Sequence, residues 1–253
     1  MLALIRNVSP AMARCELTHL ARVPIDIDLA VRQHATYAEH LQALGCGLIE
    51  VAAEPDLPDS VFVEDAAVVV DEVAVIARPG AILRQREVDS VARALTPYRD
   101  CVAIAPPGTL DGGDVLRIDR EVYVGRSTRS NAAGIEQLGA ILASFGYRVT
   151  AVELRGCLHL KSAVTQVAPQ TLLINHACVA RGHWPGMTFI AVDPFEPYAA
   201  NALLLGTKVL HPASAHLTRA RMAAAGLDVV PIEVSEIEKA EGGVTCCSIL
   251  LNA

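Results

Sequence analysis

The chain has few aromatic residues, since Phe, Trp and Tyr make up 4% of its 253 residues. Hydrophobic residues nevertheless reach 52%, which excludes a mainly disordered chain and implies a core of Ala, Val, Leu and Ile. Charges, Gly or Pro interrupt every apolar run well before it reaches the roughly 18 residues that a membrane-spanning helix needs. The apolar residues 1–5 end at Arg6, too early for a signal peptide. We therefore expect a globular protein with no membrane partner.

The sequence also has no run of basic residues. Its 21 Lys and Arg residues stand against 28 Asp and Glu residues, for a formal net charge of -7. Nucleic-acid binding normally depends on clustered positive charge. The charge balance therefore disfavours a nucleic-acid partner and suits a cationic ligand.

Paired cysteine motifs are missing as well. The cysteine count is odd, the residues are scattered, and no C-x-x-C occurs. A disulfide framework or a structural zinc site is therefore disfavoured, and a cytoplasmic, reducing location is expected. We interpret most of the thiols as small core residues and expect one reactive thiol among them. The seven are Cys15, Cys46, Cys101, Cys157, Cys178, Cys246 and Cys247.

One hairpin pattern recurs along the chain. Residues 65–75 and 114–124 both read as an acidic residue, an apolar strand, a polar turn and a second strand. Residues 161–174, 200–210 and 246–251 have a similar shape with little identity. Comparable positions are 65, 114, 162, 201 and 247, which are 49, 48, 39 and 46 residues apart. This period predicts a repeat architecture of five units.

Each hairpin is followed by a helical pattern and a strand. In the second and fourth units the helix ends at a glycine, Gly146 or Gly226. In the third unit, residues 181–187 are too few for a full helix. The fifth unit is split between the chain ends. A strand at 248–251 pairs with 2–6, and a helix capped by Asp28 and a strand at 48–51 complete the unit.

We predict an α/β fold of five ββαβ units around a pseudo-fivefold axis, as a five-bladed propeller. Pairing of the N- and C-terminal strands closes the ring and removes an exposed sheet edge. The prediction treats residues 1–253 as a single domain without a linker. The alternative is an ordinary α+β or doubly wound domain. Its nucleotide-binding form is disfavoured because no G-x-G-x-x-G follows a strand.

In such a ring the residues that open each hairpin meet near the axis. They include carboxylates, one histidine and a cysteine pair, which is the pattern of a Cys–His–acid nucleophilic site. Strand alternation predicts that only one cysteine of the pair faces the axis. The residues at the unit starts are Glu64, Asp65, Asp111, Asp114, His159, Lys161, Asn201, Cys246 and Cys247.

Structural interpretations of the same residues stay open. Both cysteines of the pair could be buried strand residues, and His159 could be a hydrogen-bonded core residue. Cys157 beside it leaves zinc as an alternative, although the H-x-E and P-C-x-x-C pattern of zinc deaminases is absent. The Asp-Gly-Gly-Asp segment at 111–114 could be a turn. Buried carboxylates must, however, be paired, be protonated or face a cation, and a guanidinium ligand would fit them because its planar donors match carboxylate geometry.

Five motifs, which occur in the same order along the chain, resemble those of the dimethylarginine dimethylaminohydrolase family of the guanidine-modifying, pentein-fold superfamily. They are residues 56–65 (DLPDSVFVED), 77–80 (ARPG), 109–116 (TLDGGDVL), 158–162 (LHLKS) and 244–248 (VTCCS). The resemblance runs over nearly the whole chain. It implies the pentein fold, a five-bladed α/β propeller, and a homodimer would be usual.

The resemblance also implies a role for each matching residue. Cys246 would be the nucleophile, His159 the general acid and base, and Asp111 the group that orients His159. Asp59 and Asp65 would hold the guanidinium, with Glu64 beside them. Arg84 and Arg129 would grip the substrate α-carboxylate, while Leu17 and the main chain of Ala240 would contact the α-amino end. No metal or cofactor is implied.

The implied reaction is hydrolysis of an Nω-methylated arginine to citrulline and an alkylamine through a covalent S-alkylthiouronium on cysteine. Related arginine deiminases carry an acid two residues after the catalytic histidine, where this chain has Lys161. This departure favours a methylated substrate. The alternatives are hydrolysis of arginine or citrulline, amidino transfer to an amine, and a non-enzymatic role like that of the ribosome-assembly factor with the same fold.

Overall fold

The computed structural model describes residues 1–252, which form fifteen strands and six α-helices. The strands are β1 (Leu2–Arg6), β2 (Gly47–Val51), β3 (Ala67–Val69), β4 (Val73–Ile76), β5 (Asp100–Ala103), β6 (Val115–Ile118), β7 (Glu121–Arg126), β8 (Arg148–Glu153), β9 (Val164–Ala168), β10 (Thr171–Ile174), β11 (Thr188–Ala191), β12 (Leu203–Leu205), β13 (Lys208–Pro212), β14 (Asp228–Ile232) and β15 (Ile249–Leu251). The helices are α1 (Ile27–Ala43), α2 (Val88–Leu95), α3 (Ala132–Ala143), α4 (Leu160–Ala163), α5 (His216–Ala224) and α6 (Ser235–Glu238).

Within the described residues the strands form five three-stranded sheets of one design. In each sheet an antiparallel pair of strands is joined by a third strand that runs parallel to the middle strand. The sheet orders are β3-β4-β5, β6-β7-β8, β9-β10-β11, β12-β13-β14 and β15-β1-β2. The predicted five-unit α/β fold is confirmed. Its third unit has only a short 3-10 turn at Arg181–His183 where other units have a helix.

The fifth unit is built from both chain ends, as the sequence predicts. Strand β15 pairs antiparallel with β1, with Leu2 opposite Leu251, and β1 pairs parallel with β2. The predicted helix cap in this unit is wrong. The side chain of Asp26, and not Asp28, accepts a hydrogen bond from the Leu29 amide at 2.9 Å. Asp26 has the extended backbone that a capping residue needs, whereas Asp28 lies inside the first turn.

Five hydrophobic clusters join neighbouring units to one another. Each cluster combines side chains from two adjacent sheets. Burial of apolar surface therefore stabilises the contacts between units as well as the packing inside each unit. Two members per cluster illustrate this: Leu4 and Ile76, Val75 and Val124, Leu116 and Val164, Leu173 and Val209, and Leu210 and Ile5.

The segments that open the first three hairpins pack against one another. They are the 3-10 turns Val63–Ala66 and Gly112–Asp114 and helix α4. Gly112 permits this contact, because a Cβ at that position would lie 1.9 Å from the Glu64 carbonyl oxygen. The predicted meeting of unit starts is therefore observed. Among the described residues no helix is long and apolar enough to cross a membrane.

Candidate active site

His159 stands immediately before helix α4 and is buried against carboxylates of two other units. Its Nε2 lies 3.2 Å from Asp111 Oδ2, and its Nδ1 lies 3.8 Å from Asp65 Oδ1. Burial alone would lower the pKa of His159, but the charge of Asp65 and the hydrogen bond with Asp111 outweigh burial and raise the pKa to about 9. The imidazole therefore carries a proton at neutral pH.

Asp111 and Asp65 are fixed by backbone amides as well as by charge. Asp111 Oδ1 accepts a hydrogen bond from the Gly80 amide at 2.9 Å. Asp65 Oδ1 accepts one from the Gly113 amide at 2.9 Å. Burial would raise the pKa of Asp65, but His159 and Arg84 lower it to about 2. Asp65 is therefore ionised at any pH where the protein would operate.

Arg84 is buried and fully engaged within this cluster. Its Nη1 donates to Asp65 Oδ2 at 2.6 Å, and its Nη2 donates to Glu87 Oε2 at 2.9 Å. Nη2 also reaches the Asp59 and Phe62 carbonyl oxygens at 3.4 and 3.3 Å. The predicted carboxylate-gripping residue thus holds protein groups in this structure, with Asp65 the nearest.

Asp114, three residues after Asp111, is another buried carboxylate, and its hydrogen-bond partners are groups other than the His159 ring. Its Oδ1 accepts from the Leu160 amide at 3.0 Å, and its Oδ2 accepts from the Ser130 and Ser127 hydroxyls at 2.7 and 2.5 Å. Burial raises its pKa to about 6 despite these bonds and the nearby charge of His159. Asp114 therefore anchors the start of helix α4, and with it the position of His159.

Cys246 and Cys247 occupy a turn before β15 and not the strand that the alternation argument assumed. The outcome for the two thiols is nevertheless the predicted one. Cys246 is partly exposed, and its sulfur accepts a hydrogen bond from the Gly243 amide at 3.3 Å. Cys247 is 2% exposed and lies in the hydrophobic core. Burial and the charges of Glu64 and Asp65 raise the pKa of Cys246 to about 12.

Glu64 has partners for both of its carboxylate oxygens. Lys161 Nζ donates to Oε1 at 2.5 Å, and the Thr245 hydroxyl donates to Oε2 at 2.7 Å. Asn201 joins the network by donating to the Thr245 hydroxyl at 2.9 Å and accepting from the Thr245 amide at 3.0 Å. Residues from three units thereby fix the turn that carries Cys246.

Asp59 and Arg129 meet the loop that follows β1. The Glu16 amide donates to both oxygens of Asp59, at 3.1 and 3.2 Å. Arg129 Nη2 donates to the Thr18 hydroxyl at 3.2 Å, and its Nη1 lies 3.6 Å from Glu16 Oε2. Nη1 is buried and has no hydrogen-bond partner among the described residues. Of the two arginines predicted to bind the substrate carboxylate, Arg129 is thus the one with an N–H donor group, Nη1, that has no partner among the described residues.

Leu17 and Ala240 are both part of one hydrophobic contact region. Leu17 is half-buried and packs against this cluster, while Ala240 is 3% exposed and belongs to it. Glu241, the next residue, accepts hydrogen bonds from the amides of Thr18, His19 and Leu20 at 2.5–3.0 Å. The segment around Ala240 therefore fastens the loop that contains Leu17.

A cavity of about 700 Å³ reaches Cys246. Of the predicted catalytic and substrate-binding residues, Cys246 alone lines it. The other lining residues include Leu20 of this loop, Leu158 beside His159, Asn201 and Gly243. A volume of this size accommodates a small molecule. The nucleophile candidate is therefore accessible to a ligand of amino-acid size, whereas Cys247 is not.

Within residues 1–252, Asp65, Asp111 and His159 form the cluster of potential ligands whose donor atoms are close enough together to hold a metal ion. One donor atom from each lies within 4.8 Å of the other two. Asp65 already pairs with Arg84, however, and the raised pKa of His159 keeps a proton on the ring. The trio fits a proton-bearing histidine between carboxylates better than it fits a cation.

Several site residues were not singled out from sequence. Thr245 and Glu87 complete the networks around Glu64 and Arg84, and Glu241 fastens the loop after β1. Position next to Cys246 was an available signal for Thr245. No local pattern could identify Glu241, because the amides that it binds lie more than 220 residues earlier, at separations of 221 to 223.

Comparison with known proteins gives one family. No protein-family model matches the chain. An N(G),N(G)-dimethylarginine dimethylaminohydrolase of Streptomyces coelicolor is 44% identical over 250 residues, which cover 98% of this chain and 96% of the relative. The Pseudomonas aeruginosa protein of the same name is 32% identical over 226 residues, covering 88% and 89%.

The fold agrees with this relationship. A solved structure of the Pseudomonas aeruginosa protein, a cysteine-to-serine mutant complexed with citrulline, superimposes with a TM-score of 0.92 and 29% identity. The match covers 98% of this chain and 97% of that one. The pentein fold implied by the sequence motifs is thereby confirmed. With near-complete coverage at 44% identity, the chain belongs to the dimethylarginine dimethylaminohydrolase family.

Proposed function

We propose that this protein hydrolyses Nω-methylated arginine, asymmetric dimethylarginine or monomethylarginine, to citrulline and an alkylamine. One observation carries the proposal: a chain of this family brings His159 between Asp65 and Asp111 and exposes Cys246 to a ligand-sized cavity. A cysteine, a proton-bearing histidine and carboxylates are the groups that attack at a guanidinium carbon requires.

The carboxylates provide the binding energy for the cationic end of the substrate. Asp59 and Asp65 hold the guanidinium, whose planar donors match carboxylate oxygens. Glu64 lies beside them and contributes charge, since its oxygens are bound by Lys161 and Thr245. Asp111 orients His159 through the contact with Nε2. An acidic site of this kind binds a cation in preference to neutral citrulline.

The amino-acid end of the substrate lies under the loop after β1. The unpartnered Nη1 of Arg129 supports a contact with the α-carboxylate, which would replace the longer contact with Glu16. Arg84 adds positive charge and holds Asp65 in place. Leu17 and the main chain of Ala240 contact the α-amino end, and Glu241 holds this loop over it.

The resting state pairs a neutral thiol with an imidazolium, because the pKa of Cys246 is raised to about 12 and that of His159 to about 9. A bound guanidinium beside the sulfur offsets the charges of Glu64 and Asp65, so it favours the thiolate. The substrate thus helps to activate the nucleophile that attacks it. No metal or cofactor is needed for this ionisation.

Attack by the Cys246 thiolate forms a bond between sulfur and the guanidinium carbon. The tetrahedral adduct collapses with loss of the alkylamine, to which His159 gives its proton. An S-alkylthiouronium remains on Cys246. His159, now neutral, takes a proton from a water molecule that attacks the same carbon. The carbon–sulfur bond breaks and citrulline leaves.

The test is product analysis with purified protein and asymmetric dimethylarginine, arginine or citrulline in separate reactions. We expect dimethylamine and citrulline in equal amounts from the first substrate, and no turnover with Cys246→Ser. Ammonia from arginine or citrulline, with dimethylarginine inert, would keep the mechanism and change the substrate. Products only in the presence of an acceptor amine would indicate amidino transfer. Inactivity with all three would favour a binding protein.

We further propose a homodimer in the cytoplasm and one domain over residues 1–253, as predicted from sequence. Light scattering of the purified protein measures the first property, and fractionation of the source cells measures the second. A protease-resistant core spanning nearly the whole chain would support the single domain. Two separately stable fragments would contradict it.

A further inference from the structure

Two cysteines that the proposed reaction does not use lie next to one another. Cys157 belongs to the loop before His159, and Cys178 belongs to the loop after β10. The Arg155 amide donates to the Cys178 carbonyl oxygen at 3.0 Å and so joins the two loops. Interaction between the two side chains raises the pKa of Cys157 and lowers that of Cys178. Both are free and partly exposed.

The pair is accessible from the cavity that reaches Cys246. Cys157 and Cys178 both line it, on a stretch shared with Arg155 and Asn175. Both also pack against the hydrophobic cluster that contains Leu160. A small neutral oxidant that enters the cavity therefore meets three thiols, and two of them lie on loops that a backbone hydrogen bond joins.

The three thiols differ in pKa. Interaction with the Cys157 side chain lowers the pKa of Cys178 to about 7, although burial opposes the shift. Burial and neighbouring carboxylates raise the pKa of Cys246 to about 12. Because the thiolate is the form that peroxides oxidise, Cys178 should react before Cys246 in the substrate-free protein.

We propose that Cys157 and Cys178 are a redox-active dithiol that a peroxide closes to an intramolecular disulfide. The Cys178 thiolate attacks one oxygen of hydrogen peroxide. The O–O bond breaks, and the departing hydroxide takes a proton to become water. The Cys157 sulfur then attacks the sulfenic acid on Cys178, and its S–O bond breaks with loss of a second water. Two thiols are oxidised by two electrons, and one peroxide is reduced to two waters.

Closure of the disulfide affects the active site through His159. Cys157 is two residues before His159, and bond formation draws its loop toward the loop after β10. His159 depends on a 3.2 Å contact with Asp111. Displacements of about 1 Å at a catalytic group can lower turnover by about 100-fold. The oxidised protein therefore turns over more slowly, and a dithiol reductant restores it.

The chemical part of the proposal is tested without any activity measurement. Cys246→Ser protein is treated with hydrogen peroxide, and the remaining thiols are blocked before proteolysis and mass spectrometry. We expect a peptide that joins Cys157 to Cys178 and that disappears after reduction. Overoxidised single cysteines, or a disulfide between other positions, would overturn the assignment. The result holds whether or not the proposed hydrolysis is correct.

The functional part compares wild-type protein with Cys157→Ser/Cys178→Ser under a brief peroxide treatment. We expect the wild type to lose dimethylarginine hydrolysis reversibly and the double variant to keep it. Equal loss in both would place the oxidation at Cys246 and overturn the link to turnover. The single variants Cys157→Ala and Cys178→Ala should also keep dimethylarginine hydrolysis after peroxide treatment. They provide the test if a serine in the double variant disturbs folding.

Discussion

At the scale of single residues, charges from distant parts of the chain set the protonation of the site. His159 faces Asp65 and Asp111, which precede it by 94 and 48 residues (159 − 65 and 159 − 111). Neither carboxylate is close in sequence, yet together they reverse the effect of burial on the imidazole pKa. The same Asp65 is held ionised by Arg84 and His159. The pair of His159 and Asp65 is therefore a stability determinant as well as a candidate catalytic element.

This pairing predicts a pH dependence of folding. The pKa of His159 rises from 6.5 to about 9 on folding, so its stabilisation is complete below pH 6.5 and is lost as the pH rises through 9. The shift corresponds to about 3 kcal/mol. In urea unfolding experiments, the free energy of unfolding of the wild type should fall as the pH rises from 6.5 to about 9. His159→Gln should lack this part of the decline; an identical pH dependence in both proteins would refute the pairing.

The two adjacent cysteines should differ sharply in what their replacement does. Cys246→Ser is expected to abolish turnover and to leave thermal unfolding almost unchanged, because Cys246 is partly exposed. Cys247→Ser should keep most of the turnover but lose about 1–3 kcal/mol of stability, since it buries a hydroxyl in the core. Amine release and thermal unfolding of the two variants separate the effects. Loss of turnover in Cys247→Ser alone would assign the nucleophile to the other thiol.

At the scale of elements, the turn Gly112–Asp114 brings the first three units close enough for chemistry. A Cβ on Gly113 would lie 2.6 Å from His159 Nδ1 and 2.7 Å from Asp65 Oδ1. Only glycine leaves room for the histidine to sit between its carboxylates. The Asp-Gly-Gly-Asp segment at 111–114 is thus a turn, which was one of the two interpretations of its sequence. It also contacts the His159 and Asp65 side chains of the site.

Gly113→Ala should therefore move His159 and lower kcat/KM by about 10- to 100-fold, by analogy with other small displacements of catalytic groups. The control is Gly139→Ala in helix α3, where a Cβ would find its nearest neighbour at 3.7 Å. This control should keep its activity and gain up to about 1 kcal/mol of stability. Steady-state kinetics and urea unfolding measure both variants. Full activity of Gly113→Ala would mean that His159 is not where catalysis needs it.

Residues 18–20 of the loop after β1 are held by the side chain of Glu241. Glu241 accepts the amides of Thr18, His19 and Leu20, and it does so from a left-handed backbone with φ of 59°. Three consecutive amides around one carboxylate resemble the anion-binding nests of other proteins. Glu241 therefore binds the backbone of residues 18–20, while Asp59 and Arg129 hold the loop at Glu16 and Thr18.

Glu241→Ala should release the loop. Hydrogen exchange of residues 18–20 should accelerate by at least about 10-fold, which corresponds to loss of about 1.4 kcal/mol of protection. Amides of β1 should exchange as before. The matched control is Glu233→Ala, because Glu233 is an exposed acid near the same end of the chain. Unchanged exchange at residues 18–20 in Glu241→Ala would show that other contacts hold the loop.

At the scale of the whole molecule, the fifth unit makes the fold depend on both chain ends. Strand β15 covers one edge of β1, and side chains such as Ile249 and Leu4 pack with β4 of the first unit. A chain that ends at Ser248 should lose this strand, expose the β1 edge and aggregate or unfold on mild heating. A chain that ends at Asn252 is the control and should melt like the wild type. Thermal unfolding with light scattering distinguishes the two.

The repeat and the family were predictable from residue order alone. Five units were predictable because alternation, glycine helix ends and unit spacing are local properties that read directly from residue order. The motifs that carry Cys246, His159 and Asp111 were recognisable for the same reason. The helix cap was misplaced by two residues, from Asp26 to Asp28, since both residue types suit a cap and only the backbone conformation chooses between them.

The partners of the charged and thiol groups could be identified only in the folded protein. Glu64 meets Lys161 across 97 residues, Glu241 meets the loop of Thr18 across 223, and Cys157 meets Cys178 from another loop. Protonation follows these meetings, because a pKa depends on burial and on every charge within a few ångströms, whatever its place in the chain. Residue order names the groups available for chemistry, while the packing of five units fixes which of them carry a proton, a charge or a reactive sulfur.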